Sequence, residues 1–253
     1  MRKFIIGTLA AAGMAASTAA LAAGGDQQIT DVDWSWEGIF GSYDHAQLRR
    51  GFQVYREICG NCHSMNLIYY RNLQQIGLTE DQVKEVAAEK EVEDGPNDDG
   101  EMFMRPALPS DHFVAPFPND QAARVANNGA LPPDLSLMTK ARLKGPDYVY
   151  SLMTGYQDPP EGVEVAEGMN YNVAFPGHQI AMAPQIFDEM VTYEDGTQAT
   201  ADQITKDVVA FLNWAAEPEL EQRKSMGLKT MLFLIVLTAM FFALKRRIWA
   251  AVH

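Results

Sequence analysis

Apolar residues recur at helical spacing in only a few stretches of this chain, and long polar or proline-punctuated segments separate them. Leu48, Phe52, Tyr55 and Ile58 fall on one side of a segment from about His45 to Ile58 and predict an amphipathic helix. Thr79-x-x-Gln82 is a capping-box pattern that opens a second helix running to about Glu89. A short helix is expected from Gln121 to Asn127 with Gly129 as its stop, and another with Pro146 at its first position and Gly155 at its end. Thr200-x-x-Gln203 caps a last helix whose apolar face carries Ile204, Val208, Phe211 and Trp214. Residues 94–119 read as an irregular acidic loop and residues 157–185 as a long loop, both punctuated by Pro and Gly. Residues 26–42 hold Trp34, Trp36 and Phe40 without periodicity and are expected to lie over the domain surface. No strand series and no internal repeat is evident, so the expectation is a mostly α fold. Gly51-x-x-x-Tyr55 and Phe211-x-x-Trp214 suggest that the first and last of these helices cross closely, the glycine allowing the approach.

The two ends differ from the middle. Arg2 and Lys3 precede an apolar run that closes on Ala20-Leu21-Ala22, the pattern of a secretory signal over residues 1–22. The mature chain is therefore expected to be exported across a bacterial inner membrane. Near the other end, Met226 to Leu244 is apolar apart from Lys229 and two threonines, about 28 Å of helix. Lys245, Arg246, Arg247 and Trp249 follow, a basic and aromatic border that marks a cytoplasmic face. This divides the chain into an exported domain (23–222), an anchor with basic flanks (223–247) and a cytoplasmic tail (248–253).

Charge then sharpens the picture. The 253 residues carry a net charge of -13, which argues against a nucleic-acid partner. Residues 23–222 hold all 33 carboxylates but only 12 of the Lys and Arg, a balance of -21, and ten of the carboxylates fall between Glu80 and Glu101. Such a surface is either simply well solvated or a field that steers a basic partner.

The chemistry lies in Cys59-Gly60-Asn61-Cys62-His63, the attachment pattern of c-type haem. Two thiols at this spacing can add to the two vinyl groups of one haem, and the following imidazole is placed to ligate the iron. Three alternatives use the same pair. A thioredoxin-like site needs a strand-to-helix context, and here the pair ends a helix. A zinc site needs further cysteines, and there are only two. A plain disulfide is compatible with export.

A second axial ligand is needed for electron transfer, and thioether sulfur favours the ferrous state. Outside the signal and span, the methionines are Met65, Met102, Met104, Met138, Met153, Met169, Met182 and Met190. Met65 is too close to His63 to reach the opposite haem face. Met182, in the proline-rich run Ala181-Met182-Ala183-Pro184, is the leading candidate and His178 its rival; His45 and His112 read as surface residues.

The chain resembles the cytochrome c1 family, the haem subunits of the quinol–cytochrome c oxidoreductase or cytochrome bc1 complex. The residues that carry the likeness are Arg50-Gly51-Phe52-Gln53-Val54-Tyr55 leading into the haem motif, Asp94-Gly95-Pro96-Asn97, and Gly100-Glu101-Met102-Phe103-Met104-Arg105-Pro106. Asn127 to Ser136 (Asn-Asn-Gly-Ala-Leu-Pro-Pro-Asp-Leu-Ser), Ala181 to Pro184 and Trp214-Ala215-Ala216-Glu217-Pro218 continue it. The resemblance implies a class I cytochrome c-like haem domain, enlarged by loop insertions, with one C-terminal transmembrane helix. It implies one covalent haem c, with His63 proximal, Met182 distal, and Cys59 and Cys62 as thioether residues. Arg142 corresponds to an arginine near a haem propionate, and Asn127, Pro133 and Tyr148 to pocket-lining residues. Some bacterial members carry an extra disulfide; this chain has no spare cysteine, so the Met182 loop must be held by packing and prolines. The implied role is a redox subunit without independent catalysis. It would pass one electron from the Rieske iron–sulfur protein to a soluble, basic-faced cytochrome c, beside cytochrome b in the bilayer. Haem motif and anchor alone are also compatible with a solitary tethered shuttle, and the haem motif with a peroxidase or the thiol pair with a thiol oxidoreductase.

Overall fold

A computed structural model describes residues 27–250; the expected signal and residues 251–253 of the tail lie outside the described residues. Six helices appear in order: α1 (His45–Glu57), α2 (Glu80–Ala88), α3 (Asp120–Ala126), α4 (Gly145–Thr154), α5 (Ala201–Ala216) and α6 (Leu220–Trp249). The capping residues read from the sequence do their work. The Thr79 hydroxyl accepts from the Gln82 N–H while Gln82 returns the bond, and Thr200 accepts from the Gln203 N–H.

The core is built on the crossing of α1 and α5. A Cβ placed on Gly51 would fall 2.0 Å from the Asp207 carbonyl oxygen and 2.8 Å from the Phe211 Cβ, so only glycine permits this approach. Around the crossing the Phe211 ring lies 5.6 Å from Phe52, 5.7 Å from Tyr55 and 5.4 Å from Trp214, all buried. The approach also buries the Asp207 carboxylate completely. It is stable there because the Arg50 guanidinium grips it with Nε at 2.9 Å and Nη2 at 3.2 Å, and Gln203 donates at 2.8 Å.

Three expectations are corrected. The segment 94–119 is not wholly irregular: β1 (Glu91–Asp94) pairs antiparallel with β2 (Phe103–Pro106), Glu91 opposite Pro106 and Asp94 opposite Phe103. These strands lack an alternating apolar face and are joined instead by Arg105, which bridges Asp94 and Asp111. The 157–185 loop contains a second, minimal pairing of β3 (Asn170–Tyr171) with β4 (Gln179–Ile180). Trp34 and Trp36 are not surface residues; they are 7% and 5% exposed and stack at 4.8 Å. The Trp34 indole N–H donates to Asp147 on α4 at 2.8 Å, which turns an aperiodic segment into a strap fastened into the core. Phe40, in contrast, is 83% exposed.

α6 starts on a residue of the body, since Leu220 is buried, and the break from α5 is only Glu217-Pro218-Glu219. The helix is long and apolar enough to cross a membrane, and none of its most apolar stretch is buried. Gly51→Ala is expected to cost about 1–3 kcal/mol through overpacking, measured by denaturant unfolding of the full chain. Gly227→Ala on α6, where a Cβ would meet nothing, is expected not to lower stability, since alanine is the better helix former.

Candidate functional site

The end of α1 delivers the two cysteines. Beyond Glu57 the chain tightens into a short 3-10 turn, Cys59–Asn61, in which the Cys62 and His63 N–H groups both donate to the Cys59 carbonyl at 3.1 and 2.9 Å. Asn61 locks the turn to α1 through Nδ2 to the Glu57 carbonyl at 2.8 Å. Both cysteines are free thiols, Cys59 half-buried and Cys62 exposed. Burial pushes the Cys59 thiol up to about 12. The arrangement is neither a disulfide nor a strand-to-helix redox turn. Among the described residues no three His, Cys, Asp or Glu side chains gather as metal ligands, so a zinc cage has no donor set there.

His63 is held by the segment 133–136. Its Nδ1 lies 2.8 Å from the Pro133 carbonyl oxygen, and as donor of that bond it leaves Nε2 with a free lone pair. Burial is the main influence on the ring and lowers its pKa, partly offset by the Pro133 bond and the Asp134 charge. The contact is backed by Asp134. One carboxylate oxygen accepts from the Ser64 hydroxyl and the Asn66 N–H, both at 2.8 Å, and the other from the Ser136 N–H at 2.9 Å. Burial alone raises the Asp134 pKa, but the bonds from Ser136, Asn66 and Ser64 outweigh it and hold the carboxyl below the usual range. Leu135 N–H to the Ser64 carbonyl at 2.9 Å and Leu67 N–H to the Ser136 hydroxyl at 3.0 Å complete a clamp.

A second group of side chains is linked around Met182. Arg142 lies against Tyr148, whose burial raises its hydroxyl pKa while the guanidinium partly offsets this. Tyr148 in turn neighbours Tyr156, and the Tyr156 hydroxyl donates to the Met182 carbonyl at 2.9 Å. Asn170 Nδ2 adds a longer bond to the same carbonyl at 3.4 Å. The backbone of Met182 is thus fixed and its half-buried thioether is uncommitted. Of the rival methionines, Met65 and Met138 are core residues, Met102 and Met104 are exposed beside or on β2, and the Met190 sulfur accepts from the Phe187 N–H at 3.2 Å. His178 adopts a left-handed backbone (φ 58°) and sets Nδ1 at 3.3 Å from the Asn172 carbonyl, across the β3–β4 turn. His45 and His112 are exposed. Asn127 is the C-cap of α3, its amide spent on the Ala123 carbonyl at 2.7 Å.

Asp134, Ser64, Ser136, Tyr156 and Asn170 were not singled out as site residues by sequence reasoning. Asp134-x-Ser136 is an Asx-turn pattern and could have been read locally; Tyr156 and Asn170 carry no sequence signal. The free imidazole nitrogen directly after two thiols three positions apart is a donor set that fits a covalently bound haem, and the uncommitted Met182 thioether is of the type that could complete it.

A family model for the cytochrome C1 family matches residues 34–252. The chain belongs to the cytochrome c1 family. A cytochrome c1 of Rhodospirillum rubrum is 54% identical over 259 aligned positions, covering 95% of each chain. A mitochondrial cytochrome c1 haem protein of Arabidopsis thaliana is 55% identical over 218 positions, 86% of this chain and 71% of that one. A mitochondrial relative from Saccharomyces cerevisiae is 51% identical over 220 positions, 87% and 71% of the two chains. For a cytochrome c1-family chain of this length, the match takes in the helical body and the apolar C-terminal helix alike.

Asp134→Asn is expected to lower stability at neutral pH by about 1.5–3 kcal/mol, because an amide replaces a carboxylate among three donors. A carboxyl depressed in the folded state stabilises above its unfolded pKa and loses that contribution as pH falls through the folded one. Wild type and variant should therefore converge on acidification below about pH 4, as measured by denaturant unfolding across pH.

Proposed function

We propose that the chain is the electron-transfer subunit of a quinol–cytochrome c oxidoreductase, taking one electron from a Rieske iron–sulfur protein and giving it to a soluble cytochrome c. The observation that carries the reading is the His63 Nδ1 contact with the Pro133 carbonyl, 2.8 Å, which presents the other ring nitrogen as a ligand directly after the paired thiols. Cys59 and Cys62 would hold haem c as thioethers, and His63 and Met182 would be its axial ligands. When bound, the haem supplies a one-electron ferrous–ferric couple.

The remaining residues act on that site by holding it. The Asp134 clamp fixes the height and tilt of His63. Tyr156 and Asn170 fix the Met182 loop, the task a disulfide performs in some family members. Arg142 would be the propionate partner and Tyr148, Asn127 and Pro133 pocket-lining residues, as the resemblance implies; the contact of Arg142 with Tyr148 and the Pro133 carbonyl on His63 support this reading. With α6 as a single span, the body lies in the periplasm of a bacterial inner membrane and the basic end in the cytoplasm. Cytochrome b and the bilayer are its lateral partners. The acidic body suits a basic-faced soluble cytochrome.

Met182→Leu is expected to lower the reduction potential by on the order of a tenth of a volt or more, within the roughly 0.8 V that axial ligation spans, and to abolish the far-red sulfur-to-iron band. An unchanged potential and band would remove Met182 as ligand. The rate of oxidation by a basic soluble cytochrome c is expected to fall as ionic strength rises; a stopped-flow rate independent of salt would refute steering.

A further inference from the structure

Ile39 and Phe40 are 72% and 83% exposed, although the strap that carries them is otherwise fastened into the core. They stand at the tip of a closed loop. Its neck is joined by the Ser42 N–H to the Ser35 carbonyl at 3.1 Å, and Gly38 turns it in the left-handed region (φ 67°). A Cβ on Gly41 would sit 1.9 Å from the Glu37 carbonyl oxygen, so the loop closes on itself in one conformation. Trp36, at its base, is buried with its ring 5.4 Å from that of Tyr43. The tip is therefore a presented feature of fixed shape.

Its position follows from α6. The Lys224 ammonium donates to the carbonyls of Trp36 and of Gly41, the latter at 2.9 Å, so both ends of the loop are tied to one side chain of that helix. Lys224 is two residues, about 3 Å of rise, from Met226, where the apolar run begins. Phe40 is one peptide unit, about 3.8 Å between Cα atoms, from Gly41. The joint is stiff as well as short. Glu221 accepts from the Tyr43 N–H at 2.8 Å, and Glu217 pairs with Lys140 at 2.9 Å and with Arg223 at 2.5 Å. An exposed aromatic–aliphatic pair is thus carried on a loop tied to the first turns of α6, close to where its apolar run begins.

We propose that Ile39 and Phe40 insert into the interfacial layer of the bilayer as a second membrane contact of the body, fixing how it stands over the membrane. The inference rests on reading α6 as a span and goes beyond the electron-transfer role. With Cys59 and Cys62 consumed as thioethers, a single new cysteine takes a nitroxide label uniquely. Phe40→Cys, Ile39→Cys and, within the span, Leu234→Cys are to be labelled one at a time in the full haem-loaded chain. Each is then measured, with the subunits that co-purify, in mixed phosphatidylcholine and phosphatidylglycerol vesicles by power-saturation EPR against oxygen and a water-soluble nickel chelate. The expected result is oxygen access exceeding nickel access at 39 or 40, shifted toward the value at 234. Nickel access exceeding oxygen access at 39 and 40, with 234 in lipid, overturns the proposal and leaves the span standing. Shielding from both reagents at 39 and 40 overturns it in favour of a protein neighbour. An aqueous label at 234 removes the span, and the proposal with it.

Discussion

The approach of α1 to α5 at Gly51 is the constraint on which the rest of the molecule depends. Two helices brought within contact of a bare backbone cannot slide, because each side chain around the crossing is fitted to that separation. The buried Arg50–Asp207 pair adds direction to this apolar contact: a guanidinium fork meets a carboxylate in one register and no other. Since Cys59 follows α1 by a single residue, the position of the thiols is inherited from the crossing rather than from local turn geometry. The core does not merely surround the site; it sets where the attachment turn begins.

From that turn the order passes sideways. His63 would be free to rotate about its side-chain bonds if only its own backbone held it. The 133–136 segment removes that freedom by hydrogen bonds to the ring itself and to the residues that follow it, at Ser64, Asn66 and Leu67. A charged acceptor shared among neutral donors suits this purpose, because each bond is stronger than a neutral one and the charge needs no counter-ion at the ring. On the Met182 side the device differs: a tyrosine hydroxyl and an asparagine amide grip a backbone carbonyl, leaving the side chain uncommitted. Two loops are thus fixed through main-chain or main-chain-adjacent atoms, leaving the Met182 sulfur and the His63 Nε2 available for the ligand roles proposed for them.

The helices were legible in the sequence because their signals are local: a capping threonine with its glutamine, an apolar face at helical spacing, a glycine stop. The crossing at Gly51 was legible because a glycine and aromatics sat at matching faces of two such helices. The β1–β2 hairpin was not, since Glu91-Val92-Glu93-Asp94 offers no buried face and its pairing depends on Arg105, eleven positions on from Asp94. The strap tryptophans were misplaced for a related reason. Their burial is decided by Asp147 and α4, more than a hundred positions away, and an aperiodic segment gives no hint of such a partner. In the site, the attachment pentapeptide and Met182 could be named from position and resemblance, whereas Tyr156 became visible only when the chain folded it onto the Met182 carbonyl.

The carboxylates separate in the same way into those the fold consumes and those it leaves to act at a distance. Asp134, Asp147 and Asp207 are spent on internal donors, and Glu217 is shared between Lys140 and Arg223. In the acidic stretch, Glu80 and Asp81 meet Lys84, Glu89 meets Arg56, and Asp94 meets Arg105. Glu85, Glu91, Glu93, Asp98, Asp99 and Glu101 make no ion pair among the described residues, and most of them lie on or around one hairpin. A merely solvated surface needs no such concentration, because solubility depends on total charge and not on its placement. Unpaired like charges gathered on a short, braced hairpin instead produce a directional potential extending about a Debye length into solution. The fold neutralises the carboxylates packed against its own loops and leaves one group of unpaired ones gathered around this hairpin, a distribution that would suit a steering face.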